Sequence, residues 1–258
     1  MSRFLHRHFP ERRAIASVDA DFSDWHRGRR WFALWALWHE DAALAGQLAR
    51  LHAHCAGLLR PGYARQPHVT LAVRGFCADH AQRPDDFTPQ ALARDVATLQ
   101  ALNLGAFVVE TAGVGSFSMA PFVQLHDTEG GVAALHAALG GRQRPAYVPH
   151  WTLGLYGANW PRPVVARRLR RLPPMPRLRL PVTELALLRY DALELSGPLQ
   201  LLGRYDLAHQ QFRPAPSAFW PLDHCSISPL PMQLACSSKG TPSKGRPAAM
   251  VSSPSTEG

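Results

Sequence analysis

The chain has 258 residues, 46% of them hydrophobic and 18% charged, with 28 Lys and Arg against 19 Asp and Glu for a net charge of +9. That length supports one large or two small domains with a real core, and the composition is ordinary for a soluble globular protein. The longest apolar run, Trp31 to Trp38, falls well short of the roughly 20 residues that span a bilayer, and with no signal-like stretch at the N-terminus a cytoplasmic protein is expected.

Residues 1–30 are polar, basic and irregular and read as an extension. Trp31–His39, short and aromatic-rich, reads as a buried strand. Leu44, Leu48, Leu51 and Leu58 recur at helical spacing, so a helix is expected over Asp41–Leu59, broken by Pro61-Gly62. A second strand covers His68 to Phe76. The clearest helix is Thr88–Leu102, with Thr88 as N-cap, Pro89 at the first helical position and Leu92, Val96 and Leu99 on one face.

Ala106–Thr111 and Pro121–His126 read as strands with a turn over Gly113–Ser118 between them. A helix follows over Gly130–Leu139, stopped by Gly140-Gly141. Next come a strand over Tyr147–Tyr156, an Arg-studded helix over Val164–Leu172, and a closing strand pair, Pro181–Arg189 and Leu199–Leu207. Residues 213–258 are rich in Pro, Ser and Gly without periodicity and are expected to be disordered, leaving residues 31–212 as the folded domain. Strands joined partly by hairpins and partly through helices indicate an α+β fold.

Nearly all the positive charge is arginine, since lysine occurs only at Lys239 and Lys244. The guanidinium fork suits phosphate, and RNA is the partner this favours; a proteome biased toward arginine would give the same composition. Cys55, Cys77, Cys225 and Cys236 form no C-x-x-C pair and no zinc-ligand spacing. Gly113-Val114-Gly115 lacks the third glycine and following helix of a dinucleotide-binding loop. His52-x-His54 would diverge on a helix, and His6-x-His8 lies near the chain end, so neither reads as a metal site. Neither a metal ion nor another cofactor is expected.

The informative feature is a repeat. Pro67-His68-Val69-Thr70-Leu71 recurs 82 residues later as Pro149-His150-Trp151-Thr152-Leu153. Alternation along a strand puts His68 with Thr70, and His150 with Thr152, on one face, while Val69, Leu71, Trp151 and Leu153 point the other way. Two such strands side by side would bring two imidazoles together, one as general base and one as general acid, with two hydroxyls to hold phosphate oxygens. On the same alternation, Arg74 and Tyr156 would continue these faces as substrate contacts, Arg74 to the substrate phosphate or backbone and Tyr156 stacked on a base. The run Arg167, Arg168, Arg170 and Arg171 would line an RNA groove or form a solvated face.

With His68-Val69-Thr70-Leu71, His150-Trp151-Thr152-Leu153 and the run Pro181–Arg189, the sequence resembles the 2H phosphoesterase superfamily, specifically its 2'-5' RNA ligase / RNA 2',3'-cyclic phosphodiesterase group. The resemblance spans roughly residues 30–210. It implies a bilobal fold, two antiparallel-sheet lobes with outer helices about a pseudo-two-fold axis, and metal-independent hydrolysis of 2',3'-cyclic phosphates of RNA ends or nucleotides to 2'-phosphates. A monomer is expected. Cleavage or joining of 2'-5' linkages by the same residues, a nucleotide-binding module without turnover, and an interaction role for the 213–258 segment are the alternatives. Which histidine is base and which is acid stays open in motifs so alike.

Overall fold

The computed structural model describes residues 8–18, 22–140, 147–173, 175–194 and 196–216. The hydrophobic run at residue 31 forms strand β1 (Trp31–Trp38), and Asp41 then caps helix α2 (Ala42–Cys55) by accepting the Leu44 N–H at 2.7 Å. A 3₁₀ turn (Ala56–Leu58) and the Pro61-Gly62 turn lead to β2 (His68–Cys77) and a two-residue β3 (Asp86–Phe87). Thr88 caps α3 (Pro89–Leu102), which stops where Asn103 takes the left-handed conformation at φ 48°. The strands β4 (Phe107–Ser116) and β5 (Pro121–His126), helix α4 (Gly131–Ala138), β6 (His150–Thr152) and helix α5 (Arg162–Arg170) follow. The described chain closes with β7 (Arg179–Val182), β8 (Glu184–Asp191), β9 (Gln200–Asp206) and β10 (Gln211–Pro214). A one-turn helix α1 (Ser23–His26) precedes β1.

Two sheets result, ordered β10-β9-β8-β1-β2-β3 and β6-β5-β4-β7. Within them β9-β8-β1-β2 and β7-β4-β5-β6 correspond strand for strand: both are antiparallel, and each joins its last two strands through a helix, α2 or α4. The repeat seen in the motifs is thus the trace of a whole repeated unit, and the fold is α+β and bilobal. Trp35, Val69, Val123 and Trp151 point to the helix-covered side, where they share one apolar cluster with Leu44, Leu92, Val96 and Leu135. Burying such side chains contributes about 1.5–3 kcal/mol each before entropy is counted.

Four expectations need correction. The region Gly113–Ser118 is not a turn: β4 runs straight through Gly113 and Gly115 to Ser116, with a bulge between Thr111 and Gly113 that absorbs the extra residue. The strand expected over Tyr147–Tyr156 is only three residues long, because Gly154, at φ 145°, turns the chain immediately after the motif. Pro181–Arg189 is two strands, not one, since β7 pairs with β4 in one sheet and β8 with β1 in the other. Arg213 and Pro214, expected to start a disordered tail, form part of β10 on the edge of β9; residues 217–258 lie outside the described residues.

Part of the basic N-terminal segment packs on the domain. Phe9 and Ala14 are buried beside Tyr156 and Val165, the Ala14 N–H donates to the Trp160 carbonyl at 2.7 Å, and Trp25 lies against Phe32 and Phe76. Among the described residues, no helix is long and apolar enough to cross a membrane.

Candidate active site

The site grows from β2 and β6. Thr70 pairs with Ala36 and His68 with Trp38 across β1, so both lie on the side opposite Val69 and Leu71. In β6, His150 and Thr152 pair with Gln124 and Phe122 on the side opposite Trp151. The two histidines are near enough that positive charge on His150 lowers the pKa of His68.

Each imidazole is held alike. Nδ1 of His68 lies 2.8 Å from the Gln66 carbonyl, and Nδ1 of His150 lies 2.7 Å from the Val148 carbonyl, the residue two before the histidine in both cases. A carbonyl oxygen only accepts, so Nδ1 carries the hydrogen and Nε2 keeps its lone pair. Burial pushes both pKa values down, His68 to about 4 with Arg65 and His150 adding to the effect. Both rings are therefore neutral at pH 7 with nothing bound, and an incoming anion would favour a proton between them.

Their surroundings differ. His150 has its ring against Phe117 and Phe122, at centroid distances of 4.8 and 5.3 Å. His68 sits beside the loop that precedes β2, and that loop supplies two groups the sequence did not single out. The Tyr63 side chain is hydrogen-bonded to that of Thr152, with burial raising its pKa. The Arg65 guanidinium lies 4.1 Å from the Tyr190 ring centroid, and its buried Nε has no hydrogen-bond partner. The charge of Arg65 acts on Tyr63, His68 and Tyr190. A buried guanidinium N–H without an acceptor, on a side chain whose charge reaches His68, suits a phosphate oxygen. No pattern marks these two residues: they stand in a loop at Tyr-Ala-Arg-Gln, outside any periodic element.

Two further histidines brace the motifs. His52 on α2 lies with Nδ1 2.7 Å from the Leu153 carbonyl, and His136 on α4 with Nδ1 2.6 Å from the Leu71 carbonyl. Leu71 and Leu153 are the last residues of the two motifs, so each repeat unit's helix supports the strand of the other unit. Tyr147 stacks on His136 at 4.0 Å and donates its O–H to the Thr70 carbonyl at 2.5 Å. His52 precedes His68 by 16 residues and His136 precedes His150 by 14, so carrying the repeat backward from the motifs would have found the pair. His54 turns elsewhere, with Nε2 3.1 Å from the Arg168 carbonyl, so His52 and His54 do not converge; His6 lies outside the described residues.

Two expected substrate contacts are not brought to the His-x-Thr faces. β2 bulges at Leu71 and again at Arg74, and the first bulge reverses the alternation: Val73, 59% exposed, takes the face of His68, and Arg74 turns toward the helices. There Arg74 binds Asp95 at 2.5 Å and donates to the Leu139 carbonyl at 2.9 Å. Tyr156 lies past Gly154 and is fully buried, with its O–H 2.6 Å from Ser116 Oγ and its ring stacked on Phe9.

Two equivalent sheets thus present one His-x-Thr pair each, with the same ring nitrogen held in both. The 2'-5' RNA ligase superfamily matches residues 40–194, which include both motifs. The chain belongs to that family, within the 2H phosphoesterases. Solved structures similar to it include TT0787 of Thermus thermophilus, at 18% identity and a TM-score of 0.45 over 68% of this chain and 97% of that one. Another is E. coli LigT complexed with phosphate, at 15% identity and 0.41 over 69% and 98%. No curated protein matches the sequence.

Proposed function

We propose that the protein is a phosphodiesterase that opens 2',3'-cyclic phosphates of RNA ends or nucleotides without a metal ion. The observation that carries this reading is the matched pair of imidazoles, each pinned through Nδ1 to the carbonyl two residues back and so presenting Nε2. Arg65 adds repulsion at His68 and not at His150, so the single proton of the working pair resides on His150. His68 Nε2 then takes a proton from the attacking water as the new P–O bond forms. The bond from phosphorus to one ribose oxygen breaks, and His150 Nε2–H protonates that oxygen. Thr70, Thr152 and Arg65 donate to the non-bridging oxygens, where charge accumulates. The 2'-phosphate product follows from the family resemblance.

The test is turnover of nucleoside 2',3'-cyclic phosphates in EDTA by the wild type, His68→Ala and His150→Ala. Each variant is expected to lose about 10²–10⁴-fold in kcat. Because the histidine pKa values lie below 6.5 in the free protein, kcat/KM is expected to peak on the acid side of 6.5. Full activity in either variant overturns the site, and loss of wild-type activity in EDTA overturns the metal-free mechanism.

A further inference from the structure

Charge is unevenly divided along this chain. No Asp or Glu occurs in residues 42–78 or 130–183, yet these two stretches hold thirteen arginines. They contain α2, β2, α4, β6, α5 and β7, that is, both catalytic strands and the helix pair α2/α5. On α5, Val165 and Leu169 are buried, while Arg167, Arg170 and, just past the helix end, Arg171 are exposed. Arg50 of α2 is exposed as well. Within these stretches Arg74 and Arg179 meet the carboxylates of Asp95 and Glu110, whereas the ion pairs among the described residues include none of the α5 arginines. Arg168 holds the helix in place, donating to the His54 carbonyl at 2.7 Å beside Gly57.

A short stretch of chain links the α5 contact to the active site. From Gly57, where α5 touches, the chain runs through Arg60, whose N–H is bonded to the Leu155 carbonyl at 2.8 Å, to Tyr63 at Thr152 and Arg65 at His68. Tyr63 lies six positions after Gly57, a reach of at most about 20 Å, or roughly three nucleotides of single strand at about 6–7 Å each. A mononucleotide in the cleft would leave the α5 arginines idle. A strand whose terminal phosphate sits between His68 and His150 would bring its next phosphates to them.

We propose that the arginine face of α5 is a binding surface for the backbone of a single-stranded RNA whose 3' end occupies the cleft; this extends the cyclic-phosphate reading and takes the 3'-end polarity from it. The contacts are to phosphates, so they add affinity without reading sequence.

The experiment measures binding of a labelled ten-nucleotide RNA with a 3'-hydroxyl end, which needs no turnover, to the full-length protein over a range of KCl. The wild type is compared with the triple variants Arg167→Gln/Arg170→Gln/Arg171→Gln and Arg167→Lys/Arg170→Lys/Arg171→Lys. The glutamine variant is expected to bind at least about tenfold more weakly near 50 mM salt, with a log–log salt slope shallower by about 2. The lysine variant is expected to stay within about threefold of wild type, because a phosphate contact needs only the charge. Unchanged affinity and slope in the glutamine variant overturn the proposal, as does equal loss in the lysine variant, which would trace the effect to helix packing. Retention on anionic lipid vesicles without RNA binding would assign the surface to a membrane and overturn it too. Failure of the cyclic-phosphate reading shows separately, as absent turnover with RNA binding and its salt slope intact.

Discussion

Tyr156 illustrates how one backbone angle redirects a side chain. Alternation from His150 sends it to the cleft, but Gly154 at φ 145° sends it into the core, where its O–H meets Ser116. Tyr156→Phe is therefore expected to cost about 1 kcal/mol of stability, seen as a lower Tm, with KM for a cyclic nucleotide unchanged. A raised KM with unaltered Tm would return it to the substrate. Arg74 follows the same logic through a bulge. Its partner Asp95 also accepts from Trp35 Nε1–H at 2.9 Å, yet burial raises the Asp95 pKa more than Arg74 lowers it. The pair is a buried network tying β2 and β1 to α3, with the arginine committed away from the cleft. His68, Thr70, His150 and Thr152 were legible from spacing alone because each pair lies before any irregularity in its strand. Arg74 and Tyr156 were not, since a bulge and a glycine bend fall between them and the motif.

At the scale of elements, the helices were read well where end signals were local. Thr88-Pro89 starts α3 and Asp41 starts α2 where the sequence placed them, because capping is settled within four residues. The cross-bracing of the motif strands is of a different kind: α2 and α4 each donate an imidazole N–H to the last carbonyl of the motif in the opposite repeat unit. We expect His136→Phe, which keeps a ring against Tyr147 and removes the donor to Leu71, to lower kcat roughly tenfold. KM should change by less than about twofold, because the variant loosens the strand that aims His68 and Thr70 rather than a substrate contact. Rescue is expected in His136→Gln, whose amide N–H can reach a carbonyl. A glutamine variant no better than the phenylalanine one would deny the brace its role.

For the molecule as a whole, buried neutral histidines make stability depend on pH. His39 and His68 both have pKa values pushed down to about 4 by burial, and His150 is lowered as well. Between about pH 6.5 and 4 the unfolded chain binds protons at these sites and the folded one does not, so stability falls as pH falls through that window. Above 6.5 both states are neutral and the effect is absent. For His68 alone a shift of this size corresponds to up to roughly 3 kcal/mol. Tm is expected to drop steeply between pH 6.5 and 4.5 and to flatten above 7; His39→Phe, which removes one of the three groups, should shallow the drop. A Tm independent of pH in that window would contradict the buried neutral state.

The amino-acid sequence by itself determined the two His-x-Thr faces, the principal helices and the duplicated unit, because side-chain alternation, capping and repetition are written in neighbouring residues. Only the tertiary structure decided which way Arg74 and Tyr156 point, that β7 and β8 belong to different sheets, and that Tyr63 meets Thr152 while the charge of Arg65 reaches His68. Each of those depends on pairing between segments far apart in the chain, where a single bulge, glycine bend or loop path outweighs local pattern.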